Sequence, residues 1–265
     1  MTVTETIRGT SRGLRLAGAA GAAGVGAQMI FPFTDGGTQA LTILSVLLLA
    51  TASVVHAAVT RGPAALACLV LVAGGGGLLA EAVGVRTGFP FGSYSYAGTL
   101  GPQVLGVPAV VPLAWLMMAY PALLVGRRIA RRRTWAVPLV AAWALTSWDV
   151  FLDPQMVDAG HWRWEHPTPS LPGVDDIPLT NFAGWLLVSL VMCALLDRLI
   201  GPPRHGGGDL LPFAVFLWTY ASSVLAHLAF FGRPPVALAG GLVMGIVAVP
   251  LAIDLWRRRR ARTRP

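Results

Sequence analysis

Polar residues along this 265-residue chain fall into short clusters, and between them run apolar stretches of helix-spanning length. A helix needs about 20 mostly apolar residues to cross a bilayer. Eight stretches qualify, at 14–33, 39–59, 64–83, 104–126, 134–152, 181–200, 210–231 and 235–256. They predict an all-α fold, a polytopic membrane bundle of about eight helices. The first stretch is rich in Gly and Ala, so a seven-helix bundle is the alternative. Residues 1–265 read as a single integral-membrane domain. Two long connections, 84–103 and 153–180, hold many Pro, Gly and aromatic residues and are expected to fold back as a cover. Irregular backbone is tolerated at membrane depth only where it is shielded from lipid.

Composition agrees with that class. Hydrophobic residues make up 55% of the chain and charged residues 12%, against about 25% charged in a typical soluble domain. All 20 basic residues are Arg, and the formal net charge is +8. With the N-terminus placed inside, 17 arginines fall in inner segments and only Arg86, Arg163 and Arg233 in outer ones. This bias predicts eight spans with both termini cytoplasmic. The runs RRIARRR and RRRRART then serve as topology anchors at an anionic leaflet. No nucleic-acid-binding module accompanies the charge, so no nucleic-acid partner is expected. The polar start MTVTETIRGTSRGLR and the long apolar run after it predict a retained span, not a cleaved signal. Cys68 and Cys193 lie in apolar runs and are expected as packed small hydrophobes.

The acidic residues show the opposite bias. Asp35, Glu81, Asp149, Asp153, Asp158, Glu165, Asp175 and Asp176 sit at or beyond the outer ends of the expected helices. Carboxylates at the edge of an apolar span are costly, which marks them as site candidates. Asp149 and Asp153 are four apart and share one helix face. Pro154 is expected to end that helix directly after Asp153, placing Asp153 at the negative end of the helix dipole. The pair is suited to hold one neutral acid beside one carboxylate; a capped polar helix end is the structural alternative. Glu81 follows Gly74 to Gly77, which permit close helix approach or bending. A snorkelling carboxylate is its alternative.

Phe89, Phe91, Tyr94 and Tyr96 follow in the first long connection, as pocket lining or as an interfacial aromatic belt. Asn181 opens the sixth expected helix as a cap or a site group. His56 and His227 lie in separate spans and are expected to bond between helices. His161 and His166, five apart in a loop, give only a weak metal signal, and no metal is assigned. Asp197 and Asp254 are expected to pair with their neighbours Arg198 and Arg257.

The segments EAVGVRTGFPFGSYSY, SWDVFLDPQMV and HWRWEHPTPSLPGVDDIPLTNFAGW resemble the integral-membrane carotenoid hydratases, of the bisanhydrobacterioruberin hydratase and γ-carotene 1′-hydratase type. The resemblance runs over roughly residues 75–190. It implies carotenoid biosynthesis in a bacterial or archaeal cytoplasmic membrane. The reaction it implies is hydration of the terminal 1,2 double bond of an acyclic carotenoid end to a tertiary alcohol, with no cofactor. The substrate is taken from the bilayer, water is the co-substrate, and other enzymes of the pathway are possible partners. On this basis Asp149 is expected as the acid, with Asp153 or Glu81 as partner carboxylate and water base. Trp148, Phe151, Phe91, Tyr94 and Tyr96 contact the substrate and its cation, and Asp176 and Asn181 position water.

Two other readings fit parts of the pattern. Asp149-x-x-x-Asp153 echoes the magnesium-diphosphate pair of UbiA-like membrane prenyltransferases, although Asp175-Asp176 is adjacent rather than four-spaced. Membrane carboxylates also serve proton-coupled transport or carotenoid binding, but the acids here gather on one side and no inverted repeat is visible.

Overall fold

A computed structural model describes residues 3–34, 38–204 and 208–262. Asp35, one of the acids noted above, lies outside the described residues. The described residues form nine α-helices: α1 (Val3–Ile30), α2 (Gln39–Arg61), α3 (Pro63–Cys68), α4 (Gly76–Thr87), α5 (Val110–Ile129), α6 (Val137–Asp158), α7 (Leu179–Leu199), α8 (Leu210–Ala229) and α9 (Pro234–Arg262). A π-helical segment, Leu69–Gly75, joins α3 to α4, so the two make one span. Eight helical stretches are therefore long and apolar enough to cross a membrane, as expected: Ser11–Phe33, Gln39–Arg61, Pro63–Thr87, Val110–Ile129, Thr134–Asp158, Leu179–Leu199, Leu210–Ala229 and Pro234–Ala261.

The bundle is built around α5. Its residues are apolar on every side, which fits a helix wrapped by others rather than one with a single buried stripe. Trp115, Met118, Tyr120, Leu123 and Leu124 are fully buried. Helices α2, α6 and α8 pack directly on it, and α1 packs along α2 on the outside.

The two ends of the bundle differ in charge. At one end Arg61 pairs with Asp209 at 2.7 Å, Arg127 with Asp197 at 2.7 Å and Arg128 with Asp254 at 2.6 Å. Asp197 thus pairs across helices rather than with Arg198, and Asp254 pairs with Arg128 across helices and locally with Arg258, one turn on, rather than with Arg257. Adjacent positions on a helix point in different directions, whereas the packed neighbour presents its guanidinium directly. His56 bonds Tyr120 at 2.9 Å at this same end, a helix–helix bond as expected. The opposite end carries Glu81, Asp149 and Asp153, with Arg233 paired to Asp158.

Three expectations about local structure need correction. First, Pro154 does not end its helix; α6 continues to Asp158. Proline removes one ladder bond, but the turn beyond it is buried through Met156 and closed by Ala159 N–H to Gln155 O at 3.0 Å. Asp153 therefore lies more than a turn inside the helix, away from the negative dipole end. Second, the fourth span begins at Val110, not at 104. Before it, β2 (Gln103–Val104) and β3 (Val107–Pro108) form a hairpin whose turn residues Leu105 and Gly106 have φ 55° and 87°. Positive φ at both positions is what a two-residue hairpin turn demands. Third, the long connections are not irregular. Strand β1 (Tyr94–Tyr96) of the first pairs with β4 (Trp162–Trp164) of the second, and β5 (Ser170–Leu171) pairs with β6 (Val174–Pro178).

Candidate active site

Glu81 is brought into the bundle by the widened turn before it. A π-helical turn rotates the helix that follows relative to an unbroken α-helix. Gly77 also lets α4 approach α5 closely; a Cβ there would lie 2.7 Å from the Trp115 ring. Glu81 ends up buried with three donors. Tyr94 and Tyr96 donate to Oε2 at 2.5 and 2.9 Å, and Trp115 donates to Oε1 at 3.0 Å.

The tyrosines come from β1. Alternation along a strand puts Tyr94 and Tyr96 on one face and turns Ser95 outward. The same rule places Trp162 and Trp164 of β4 together, with Arg163 exposed. Tyr94 stands opposite Trp164, and Tyr96 opposite Trp162. Burial and the neighbouring Glu81 charge push both hydroxyls far above the usual phenol range, so each stays an O–H donor. Trp164 donates to the Phe91 carbonyl at 3.0 Å. Phe91 is wedged between two glycines, since a Cβ on Gly84 or Gly184 would approach its ring to 2.8 or 2.9 Å.

The aspartates face Glu81 from α6. Asp153 Oδ1 accepts from Trp162 Nε1 at 3.1 Å. The Asn181 amide donates to Asp149 Oδ2 at 2.8 Å and to Asp153 Oδ2 at 2.5 Å. Asn181 therefore bridges the two aspartates through its one amide, and its side chain does not cap α7. Asp149 is fully buried, and its Oδ1 has no partner among the described residues.

These groups close one end of a cavity of about 480 Å³, within the range of small-molecule sites. Asp153, Glu81, Asn181, Trp148, Phe151, Phe91, Tyr94 and Tyr96 line it. Asp149 does not; it sits behind Asp153. Asp176 is exposed on β6 and does not line the cavity either. Sequence reasoning missed Trp115 and gave no role to Trp162, Trp164 and Trp185, and these four complete the wall. Trp115 and Trp185 stack at 3.9 Å, and Trp148 meets Trp185 edge-on at 6.3 Å. Phe151 is backed by His227, whose Nε2–H donates to the Phe151 carbonyl at 3.1 Å. His161 bonds Thr99 at 2.7 Å and ties the two connections together, while His166 is exposed. Chemically, the arrangement offers a coupled carboxyl pair, a separate anchored carboxylate and an apolar aromatic chamber.

A relative from Haloarcula japonica, named bisanhydrobacterioruberin hydratase, is 37% identical over 123 residues. That match spans 44% of this chain and 40% of the relative. No solved structure matches the chain. The family model described as "Carotenoid biosynthesis protein" matches residues 38–248, which include every element of the cavity's polar end. The chain belongs to the carotenoid biosynthesis protein family.

Proposed function

We propose that the protein hydrates the terminal isopropylidene double bond of an acyclic carotenoid end group. One observation carries this reading: Asp153 and Glu81 face the same end of an apolar, tryptophan-rich cavity, with Asp149 buried directly behind Asp153. The hydratase relative supports the reaction type.

The geometry supports the following chemistry. Two carboxyls held together away from water do not both ionise; the pair keeps a proton. Asp153 is the member that faces substrate, so it delivers that proton to the less substituted carbon of the double bond. The π electrons form the new C–H bond, and the other carbon becomes a tertiary cation. Water adds to the cation and forms the C–O bond. The bound water then loses a proton to the Asp153 carboxylate, which restores the acid. The sum is alkene plus water giving a tertiary alcohol. Asp149 acts through Asp153, as the buried partner that keeps the shared proton in place, and not as the group that touches substrate. Asn181 orients both carboxyls.

Glu81 accepts bonds from three donors, the pattern of an ionised carboxylate. It offsets the positive charge formed nearby, a preorganised electrostatic role. Trp148, Trp185 and Tyr94 present ring faces and edges to the same region, and a desolvated cation gains up to about 2 kcal/mol from a ring face.

We place the carboxylate end at the outer face and the arginine-rich end in the cytoplasm, on the arginine bias. The paired strands of the two long connections act as a cover over the carboxylates. Expression in a lycopene-accumulating bacterium tests the function. Pigment gaining one or two water masses supports hydration. Unchanged pigment that co-purifies with the protein contradicts it and favours simple binding.

A further inference from the structure

The cavity has a second end of opposite character. Met29, Phe31 and Phe33 reach it from the end of α1, and Leu225, Phe230 and Phe231 from the end of α8. These are not packed core residues. Phe33 is 77% exposed, Met29 56% and Leu225 58%. On a membrane-spanning bundle such side chains face lipid, and here they are continuous with the wall leading to Asp153. The seam itself is held by few groups. Phe31 meets Phe231 edge-on at 6.2 Å, and Phe33 meets Phe230 at 5.6 Å. Deeper in the seam, Trp218 Nε1 donates to Gln28 Oε1 at 2.7 Å. Edge-to-face ring pairs are individually weak and re-form readily.

At the carboxylate end, in contrast, the cavity is roofed by Tyr96, Trp162 and Trp164, which are bonded into strands and to Glu81, Asp153 and Phe91. A substrate that reacts only at its tip must leave the rest of its length in apolar surroundings. The seam between α1 and α8 offers that continuation.

We propose that the α1–α8 seam is the lateral port through which a linear polyene enters from the lipid, and that the pairs Phe31–Phe231 and Phe33–Phe230 are its gate. The occupant is the hydrocarbon tail of the substrate, so the proposal rests on the functional reading above. Substrate threads tip-first between the rings, and the rings close around the chain.

A cross-link across the gate tests this. The full-length Phe33→Cys, Phe230→Cys double variant is placed in phospholipid vesicles containing lycopene and joined with a short bifunctional maleimide. The two single-cysteine variants and the wild type, treated alike, report any reaction at Cys68 or Cys193. Two readouts are taken: lycopene retained on the protein after extraction, and water added to the pigment. The unjoined double variant is the reference, so that any effect of replacing the two rings themselves is divided out. After joining, both readouts are expected to fall at least about tenfold, the scale of a clear loss of affinity. Undiminished binding after joining overturns the port. If joining blocks binding but no sample ever gains water, the port stands and the hydration reading falls. If joining leaves conversion intact, hydration stands and the port falls. No lycopene binding by the wild type overturns both.

Discussion

Trp162 donates its indole N–H to Asp153 Oδ1 over 3.1 Å, which ties a strand of the cover to the carboxyl that faces the cavity. The bond makes the cover part of the chemistry rather than a passive shield. Replacing Trp162 with Phe keeps the ring against Tyr96 and removes only the donor. Leaving one buried acceptor unpaired costs about 1–3 kcal/mol. The expected result is a reduced turnover rate with a shifted pH profile at Asp153, while the folded protein survives. Kinetics of the Trp162→Phe variant across pH, beside its thermal midpoint, checks this; an unchanged profile would detach the cover from the acid.

Asn181 is expected to be nearly as sensitive as the acid it orients. Asn181→Leu removes both bonds to Asp149 and Asp153. Positioned proton transfer contributes about two to four orders of magnitude, and most of it should vanish. Asn181→Asp crowds a third carboxyl into the same space and should lose activity at least as fully. Activity retained in Asn181→Leu would mean the pair needs no amide bridge.

Glu81 and its donors should show a graded response. Glu81→Gln removes the charge and leaves three donors facing a neutral amide, so turnover should collapse. Tyr96→Phe and Trp115→Phe each delete one of the three bonds and should give smaller, separate losses in turnover rather than in substrate affinity. If Glu81→Gln changed only affinity, the charge would have no part in the reaction step.

The pH dependence carries a sign. Burial and the Glu81 charge both disfavour ionising Tyr94 and Tyr96 and raise their hydroxyls above the ordinary value of 10. A raised value means the neutral donor persists to higher pH. The two hydroxyls should therefore contribute no fall in activity through the ordinary phenol range, and any alkaline limb belongs to the carboxyl pair that must keep its proton. An alkaline limb in the wild type that disappears in Tyr94→Phe would contradict this.

The arginine end offers a control. Arg61 is buried and pairs with Asp209, so Asp209→Ala leaves a buried guanidinium without its counter-charge. Breaking a buried pair costs about 3–5 kcal/mol at most, less here because Asp209 is part-exposed. A lower thermal midpoint with unchanged turnover at permissive temperature is expected. A selective loss of turnover would show that the two ends are coupled.

Much of this was legible in the sequence because lipid imposes length and charge rules that few other solvents do. The eight spans and the gathering of Glu81, Asp149 and Asp153 at one end follow from those rules; the lining roles of Trp148 and Phe151 came from the family resemblance, and Tyr94 and Tyr96 were open between pocket lining and an interfacial belt. Pro154 misled because local propensity gave way to the packing of Met156. Asp149 drew attention by its depth, yet depth placed it behind Asp153 instead of in the cavity. The strand pairing was available in the alternation YSY and WRW, which puts aromatics on one face of each segment. Trp115 was not available: it lies 34 residues from Glu81 within an apolar helix, and nothing local distinguishes it from core. The seam between α1 and α8 likewise joins distant segments, by ring packing and by the Gln28–Trp218 bond across 190 residues.

The central claim is that a carboxyl proton is delivered to the double bond before water adds. Running the reaction in deuterium oxide tests it most directly. The account predicts one non-exchangeable deuterium at the carbon next to the new tertiary alcohol for each hydrated end. It also predicts no product from Asp153→Asn. A hydrated product without carbon-bound deuterium, or full turnover by Asp153→Asn, would contradict it.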